Sequence, residues 1–196
     1  MVVGAALVAP LAQTSPNARP SDSLERSFTQ DGRIRMDLSA GDYEIAGSKD
    51  RRIRMEWSVR EAGLLARVHA RADVRGSEAT IATDGPSNNS GVRFVIKVPE
   101  RSDLYVRLTA GDIRIEDVLG NKDLEMHAGD ARIDVGRVED YSRVDVSVWA
   151  GDLHAAPFNV IKGGLFGSLD WSGKGPFRLH AKLKAGDLRL YAKGAL

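Results

Sequence analysis

The 196-residue chain contains no cysteine. That excludes disulfide frameworks, thiolate metal sites and cysteine nucleophiles together. An excess of charge is also missing: 28 Lys and Arg stand against 27 Asp and Glu, a formal charge of +1. Nothing in that balance favours a nucleic-acid partner. Aromatic residues are scarce at 6%, yet hydrophobic residues reach 42%, enough to build a sizeable core. The chain has no long apolar run. Its most apolar stretch is residues 1–12, MVVGAALVAPLA. That is short of the ~20 residues that span a bilayer.

Residues 1–12 have the length and small-residue content of a signal-peptide hydrophobic region, although the first basic residue is Arg19. We expect them to be the remnant of a signal peptide, which implies export to the periplasm, outer surface or medium. Residues 13–27 read as a polar linker containing Pro16 and Pro20. One folded domain is expected over residues 28–196.

What the chain has in abundance is glycine, 20 residues, and it is organised. The tripeptide Ala-Gly-Asp begins at Ala40, Ala110, Ala128, Ala150 and Ala185. The last four are separated by 18, 22 and 35 residues, and Phe166-Gly167-Ser168 divides the longest gap as a degraded copy. A period near 20 residues is the mark of a solenoid. Before each copy the apolar residues alternate, as in Leu104, Val106 and Leu108, or Val144, Val146 and Val148. Such alternation predicts strands with one buried and one wet face. After each copy the apolar set shifts by one, to Ile113 and Ile115 or Leu188 and Leu190. A one-residue slip exchanges faces, so the chain must turn a corner at Gly-Asp. The expectation is an all-β, single-domain β-solenoid with coils of about 16–22 residues and a modified N-terminal half. In that half, strands are expected around residues 33–38, 43–45, 53–59, 79–83 and 92–98, with either a short helix or a strand over 61–70.

These elements resemble the bacterial adhesin-like domain family of unknown function, the adhesin-head β-solenoids with recurrent Gly-Asp corners. The resemblance rests on RIRMDLSAGDYEI (residues 33–45), VRFVIKVP (92–99) and LYVRLTAGDIRIEDV (from Leu104), and it covers residues 28–191. It implies a β-solenoid at the cell envelope. It implies no catalytic residue, and a shared fold does not by itself fix function.

The corner residues Gly41, Asp42, Gly111, Asp112, Gly129, Asp130, Gly151, Asp152, Gly186 and Asp187 are read as structural. Asp can accept hydrogen bonds from N–H groups stranded at a turn, and Arg114, Arg132 and Arg189 are placed to offset a carboxylate row. The competing readings are a calcium row or an acid–base pair acting on a polysaccharide. Trp149, Tyr105 and Trp171 are candidate docking residues, Trp149 and Tyr105 because they fall on the outward parity. His69, His127, His154 and His180 show no metal-ligand spacing, and no nucleophile elbow or phosphate loop is present. No cofactor is expected. The function expected is a non-enzymatic envelope or surface scaffold that contacts a protein or glycan. The alternatives are a polysaccharide-active β-helix enzyme and an intracellular assembly or sensor module. Because little sequence follows the last Ala-Gly-Asp unit, its strand edges are expected to be open to self-association.

Overall fold

The computed structural model describes residues 19–85 and 91–193. The expected signal remnant therefore lies outside the described residues. The chain runs through β1 (Ser21–Ser27), β2 (Gly32–Leu38), β3 (Asp42–Ser48) and β4 (Arg52–Ser58). A single-turn helix, α1 (Ala62–Leu65), leads to β5 (His69–Arg75), β6 (Glu78–Asp84) and β7 (Arg93–Pro99). Then follow β8 (Ser102–Ala110), β9 (Ile113–Glu116), β10 (Lys122–Ala128) and β11 (Ala131–Asp134). The last six are β12 (Tyr141–Ala150), β13 (Leu153–Ala155), β14 (Val160–Lys162), β15 (Leu165–Ser172), β16 (Phe177–Ala185) and β17 (Leu188–Tyr191).

The alternation seen in the sequence is the alternation of burial. In β2, Ile34, Met36 and Leu38 are buried while Arg33, Arg35 and Asp37 are exposed. The strands assemble into two mixed sheets, neither closed on itself. One has nine strands in the order β1-β4-β7-β3-β9-β11-β17-β13-β14, and the other eight in the order β15-β12-β16-β10-β8-β2-β6-β5. Their inward side chains form one continuous core, from Ile34 and Ile81 through Leu108 and Ile133 to Val146 and Leu190. The fold is all-β in a single domain.

At each Ala-Gly-Asp the chain leaves the eight-stranded sheet and enters the nine-stranded one: β2 to β3, β8 to β9, β10 to β11, β12 to β13 and β16 to β17. The strands on either side of these corners pair in parallel and in register, Ala110 beside Ala128 and Ala128 beside Ala185. The corners stack in the order 41, 111, 129, 186, 151, which is not chain order. The unit β16/β17 lies between β10/β11 and β12/β13.

Three expectations are corrected by this arrangement. The C-terminal unit has no open edge, because β16 is bonded to β10 and β12, and β17 to β11 and β13. Phe166-Gly167-Ser168 is not a corner. It lies within β15, antiparallel to β12, and β14 likewise runs antiparallel to β13. The expected linker ends early, since β1 pairs antiparallel with β4 from Ser21 onward. Only Leu24 in β1 is even half-buried, so no apolar alternation signals this strand. Its register is instead supported by Glu25, which bridges Arg52 and Arg54, each at 2.8 Å.

Four of the five corners explain their own composition; Gly41 has no positive φ, and a Cβ there would meet nothing closer than 3.4 Å. Gly111, Gly129, Gly186 and Gly151 have φ of 117°, 113°, 122° and 134°, a region costly for any side chain. A Cβ on any of them would also collide with the carbonyl of the corner glycine stacked beside it. Bare glycine thus lets successive backbones approach to hydrogen-bonding distance. Gly111 N–H donates to the Ala128 carbonyl at 3.1 Å, Gly129 to Ala185 at 3.0 Å and Gly186 to Ala150 at 2.9 Å.

Among the described residues Thr83, Ser102, Lys122 and Asp134 are the buried polar ones, and Lys122 reaches into the core. Lys122 is buried on the inward parity between Leu104 and Leu179, and its Nζ donates to the Tyr141 hydroxyl at 2.8 Å. Burial pushes its pKa down to about 8, against the pull of Asp134 and Asp140. Burial, helped by the same two carboxylates, raises the pKa of Tyr141.

Two outcomes follow. Gly129→Ala is expected to destabilise the fold by at least about 2 kcal/mol, through positive φ and backbone collision together. Gly63→Ala, in α1 with open space around it, is expected to be neutral or mildly stabilising; urea unfolding of both variants checks the contrast. The second outcome concerns pH. Between about 8 and the ordinary lysine value of 10.5, the unfolded chain binds more protons at Lys122 than the native one. Stability must therefore rise with pH there, until Tyr141 reverses the trend above 10, where only an unfolded tyrosine ionises. The rise is expected to be about 1–3 kcal/mol and absent in Lys122→Met, measured as the pH dependence of the urea midpoint in both proteins.

Candidate functional site

The outward face of the eight-stranded sheet is a grid, because in-register strands place side chains in rows across the sheet. Near the corner edge one row runs Glu125, Lys182, Ser147, Ser168, through β10, β16, β12 and β15. The next runs His127, Lys184, Trp149, Phe166 on the same strands. These eight residues line an open groove of about 580 Å³.

The end of the groove nearest β15 is aromatic. Trp149 is 59% exposed and Phe166 70%, and their rings meet edge to face at 6.2 Å and 71°. Phe166 holds φ at 59°, a left-handed conformation unfavourable for a bulky residue. The chain accepts that strain with Phe166 largely in solvent, where little burial offsets it. Leu165 in β15 and Ile161 in β14 are also exposed, at 66% and 71%.

The floor of the groove is cationic. Glu125, the one carboxylate lining it, is engaged by Arg107 at 3.4 Å. Among the described residues, no carboxylate lies within 4.0 Å of either the Lys182 or the Lys184 ammonium.

The aromatic residues singled out in the sequence do not converge. Trp149 is in the groove. Trp171 lies on the inward parity of β15, half-buried against the core and against Phe158 at 5.2 Å, where it helps cover the end of the sandwich. Tyr105 faces outward on β8, with the Arg33 guanidinium 5.8 Å from its ring centre. Phe166, Leu165, Lys182 and Lys184 were not predicted as site residues. The available signal was the pair Leu165-Phe166 after Gly163-Gly164, two large apolar neighbours that cannot both face a core in a strand.

The corner carboxylates form a second, polar feature along the same edge. Asp112 accepts from the Asp130 N–H at 3.2 Å, Asp130 from Asp187 at 3.1 Å and Asp187 from Asp152 at 2.9 Å. Three of the five corner carboxylates thus cap the next corner in the stack. Arg114, Arg132 and Arg189 stack beside one another on the nine-stranded sheet, yet none forms an ion pair with these aspartates. Arg114 turns instead to Glu116 at 2.8 Å. The offset expected from arginine is supplied by backbone N–H groups. Of the histidines, His127 lines the groove and His180 lies 4.0 Å from Asp145. Among the described residues no group of three or more His, Asp or Glu is arranged to hold a metal.

No known family profile matches the chain, and no curated protein does. Among solved structures, the chain is similar to a "putative cell adhesion protein" from Clostridium sporogenes at 12% identity and a TM-score of 0.56, covering 88% of this chain and 100% of that one. It also matches a "putative adhesin" from Parabacteroides distasonis at 12% identity, covering 87% and 69% of the two chains. A "putative adhesin" from Bacteroides fragilis matches at 8% identity, covering 89% and 98%. The latter two have TM-scores of 0.29 and 0.26 and carry no argument. The first establishes a likeness of fold: this chain folds as the Clostridium protein does.

Proposed function

We propose that this chain is a non-enzymatic, adhesin-like contact module of the bacterial cell surface, which engages its partner through the groove on the eight-stranded sheet. One observation carries the reading: Trp149 and Phe166 are paired in solvent on a hydrogen-bonded sheet, and Phe166 is held there at a conformational cost. Exposed aromatics on a preorganised surface are the usual anchors of recognition. The fold shared with the Clostridium protein supports the adhesin-like part of the reading, as does the apolar segment at residues 1–12 the part concerning export.

In this reading the same-sense passages are a short β-solenoid with permuted winding, and the corner Gly and Asp residues serve its backbone. Trp149 contacts the partner, while Tyr105 and Trp171 lie outside the contact. A polysaccharide hydrolase would need two carboxylates acting on one bond. The groove offers Glu125 alone, already paired with Arg107.

Protease shaving of intact native cells, followed by mass spectrometry, tests the placement. Peptides of this chain released from whole cells are expected; confinement to the soluble cytoplasmic fraction would overturn the proposal. Trp149→Ala is expected to lower stability by less than about 1.5 kcal/mol, the worth of one aromatic pair. A loss above about 3 kcal/mol in thermal or urea unfolding would make Trp149 a packing residue.

A further inference from the structure

The exposed apolar surface at the β15 end invites two occupants, another strand or a ligand. The edge of β15 is guarded against the first. Lys162 Nζ donates to the Ser168 carbonyl at 2.6 Å, which occupies a main-chain acceptor, and the left-handed Phe166 interrupts the extended backbone. A lysine and an irregular residue are the devices that keep an edge strand from pairing with another chain. The occupant is therefore to be sought in the groove itself.

Its chemistry is written in the two rows of the grid. Lys184 lies between His127 and Trp149, so a lysine and an exposed tryptophan are cross-strand neighbours. Lys182 lies between Glu125 and Ser147, with Ser168 beyond. A ligand that satisfies all of these has a flat face of C–H groups for the aromatic corner. It has a negative charge for each ammonium, about two residues apart along one strand. It has hydroxyls for Ser147, Ser168 and His127. We propose that the groove binds an acidic oligosaccharide, a chain of sugar rings bearing carboxylates such as a polyuronate. The ring of one sugar stacks on Trp149 and Phe166, and the carboxylates of that sugar and its neighbour meet Lys184 and Lys182. An acidic peptide supplies the charge but not the hydroxyl-rich apolar ring face. This inference rests on the groove being the contact site of the proposed surface module.

The test is calorimetric titration of the purified full chain with oligogalacturonate, with its fully methyl-esterified form and with poly-glutamate. Oligogalacturonate is expected to bind with a dissociation constant below the millimolar range, more weakly at higher salt. Lys182→Ala and Lys184→Ala are each expected to weaken it roughly tenfold, the worth of one charge-assisted hydrogen bond. Trp149→Ala should weaken it by a similar factor, and esterification should abolish the dependence on the lysines. Lys182→Arg, which keeps the charge, should retain most of the binding. Three results would overturn the proposal: no heat from oligogalacturonate at millimolar concentration, binding indifferent to the groove variants, or poly-glutamate binding as tightly. If shaving places the chain on the surface and the oligogalacturonate does not bind, the ligand class alone is refuted. If shaving finds it inside the cell, the surface reading falls whatever the titration gives.

Discussion

The whole molecule depends on how closely one corner carbonyl can approach the next. Two sheets can share one core only if the chain repeatedly passes from one to the other, and each passage exposes backbone groups that strand pairing does not satisfy. Stacking the passages solves this, because the N–H of one corner glycine reaches a carbonyl of the next corner. The approach leaves no room for a Cβ, and the turn demands a φ that only glycine adopts easily. The aspartate that follows serves the same row from outside, accepting the N–H of its neighbour. Register on both sheets descends from this row, since Ala110, Ala128 and Ala185 are held side by side. The grid of side chains that makes the groove is a consequence of that register.

Both ends of the stack carry reversed strands, although at the first end β1 pairs with β4 and is the outermost strand of its sheet. At one, β4 and β5 run against the sense of their neighbours, and at the other β14 and β15 do. A parallel stack cannot stop without leaving a strand edge, and a reversed hairpin with irregular or charged features is a way to blunt it. At the β14/β15 end this finishing element also carries Phe166. The groove therefore arises where the regular stack ceases to be regular.

Much of this was legible in the residues. The strands with alternating apolar residues before each corner follow from period-two patterning, and the slip at Gly-Asp announced the turn. The helix-or-strand ambiguity over residues 61–70 resolves into both, α1 followed by β5. Strand β1 was not legible because its residues are almost all exposed and its pairing is made by main-chain bonds and Glu25. The direction of β15 was not legible either, since parallel and antiparallel strands can share the same alternation. Nor could the corners disclose their spatial order. All five are Ala-Gly-Asp, so the local chemistry of a corner does not choose its neighbour. The groove was half visible: Trp149 stood out by parity, but Lys182 and Lys184 acquire meaning only when β16 is found between β10 and β12.

That insertion decides what joins the two parts of each sheet. A chain synthesised from its N-terminus makes β12 through β15 before β16 and β17. Yet those earlier strands are joined to β8–β11 only through the later pair. Without β16 and β17, the two parts of each sheet share no strand pairing, and each part has an unpaired edge. β16 and β17 act as a keystone, each bonded on both sides to strands that precede it in the chain. A chain that lacked them would be missing not an edge but an internal strand of each sheet.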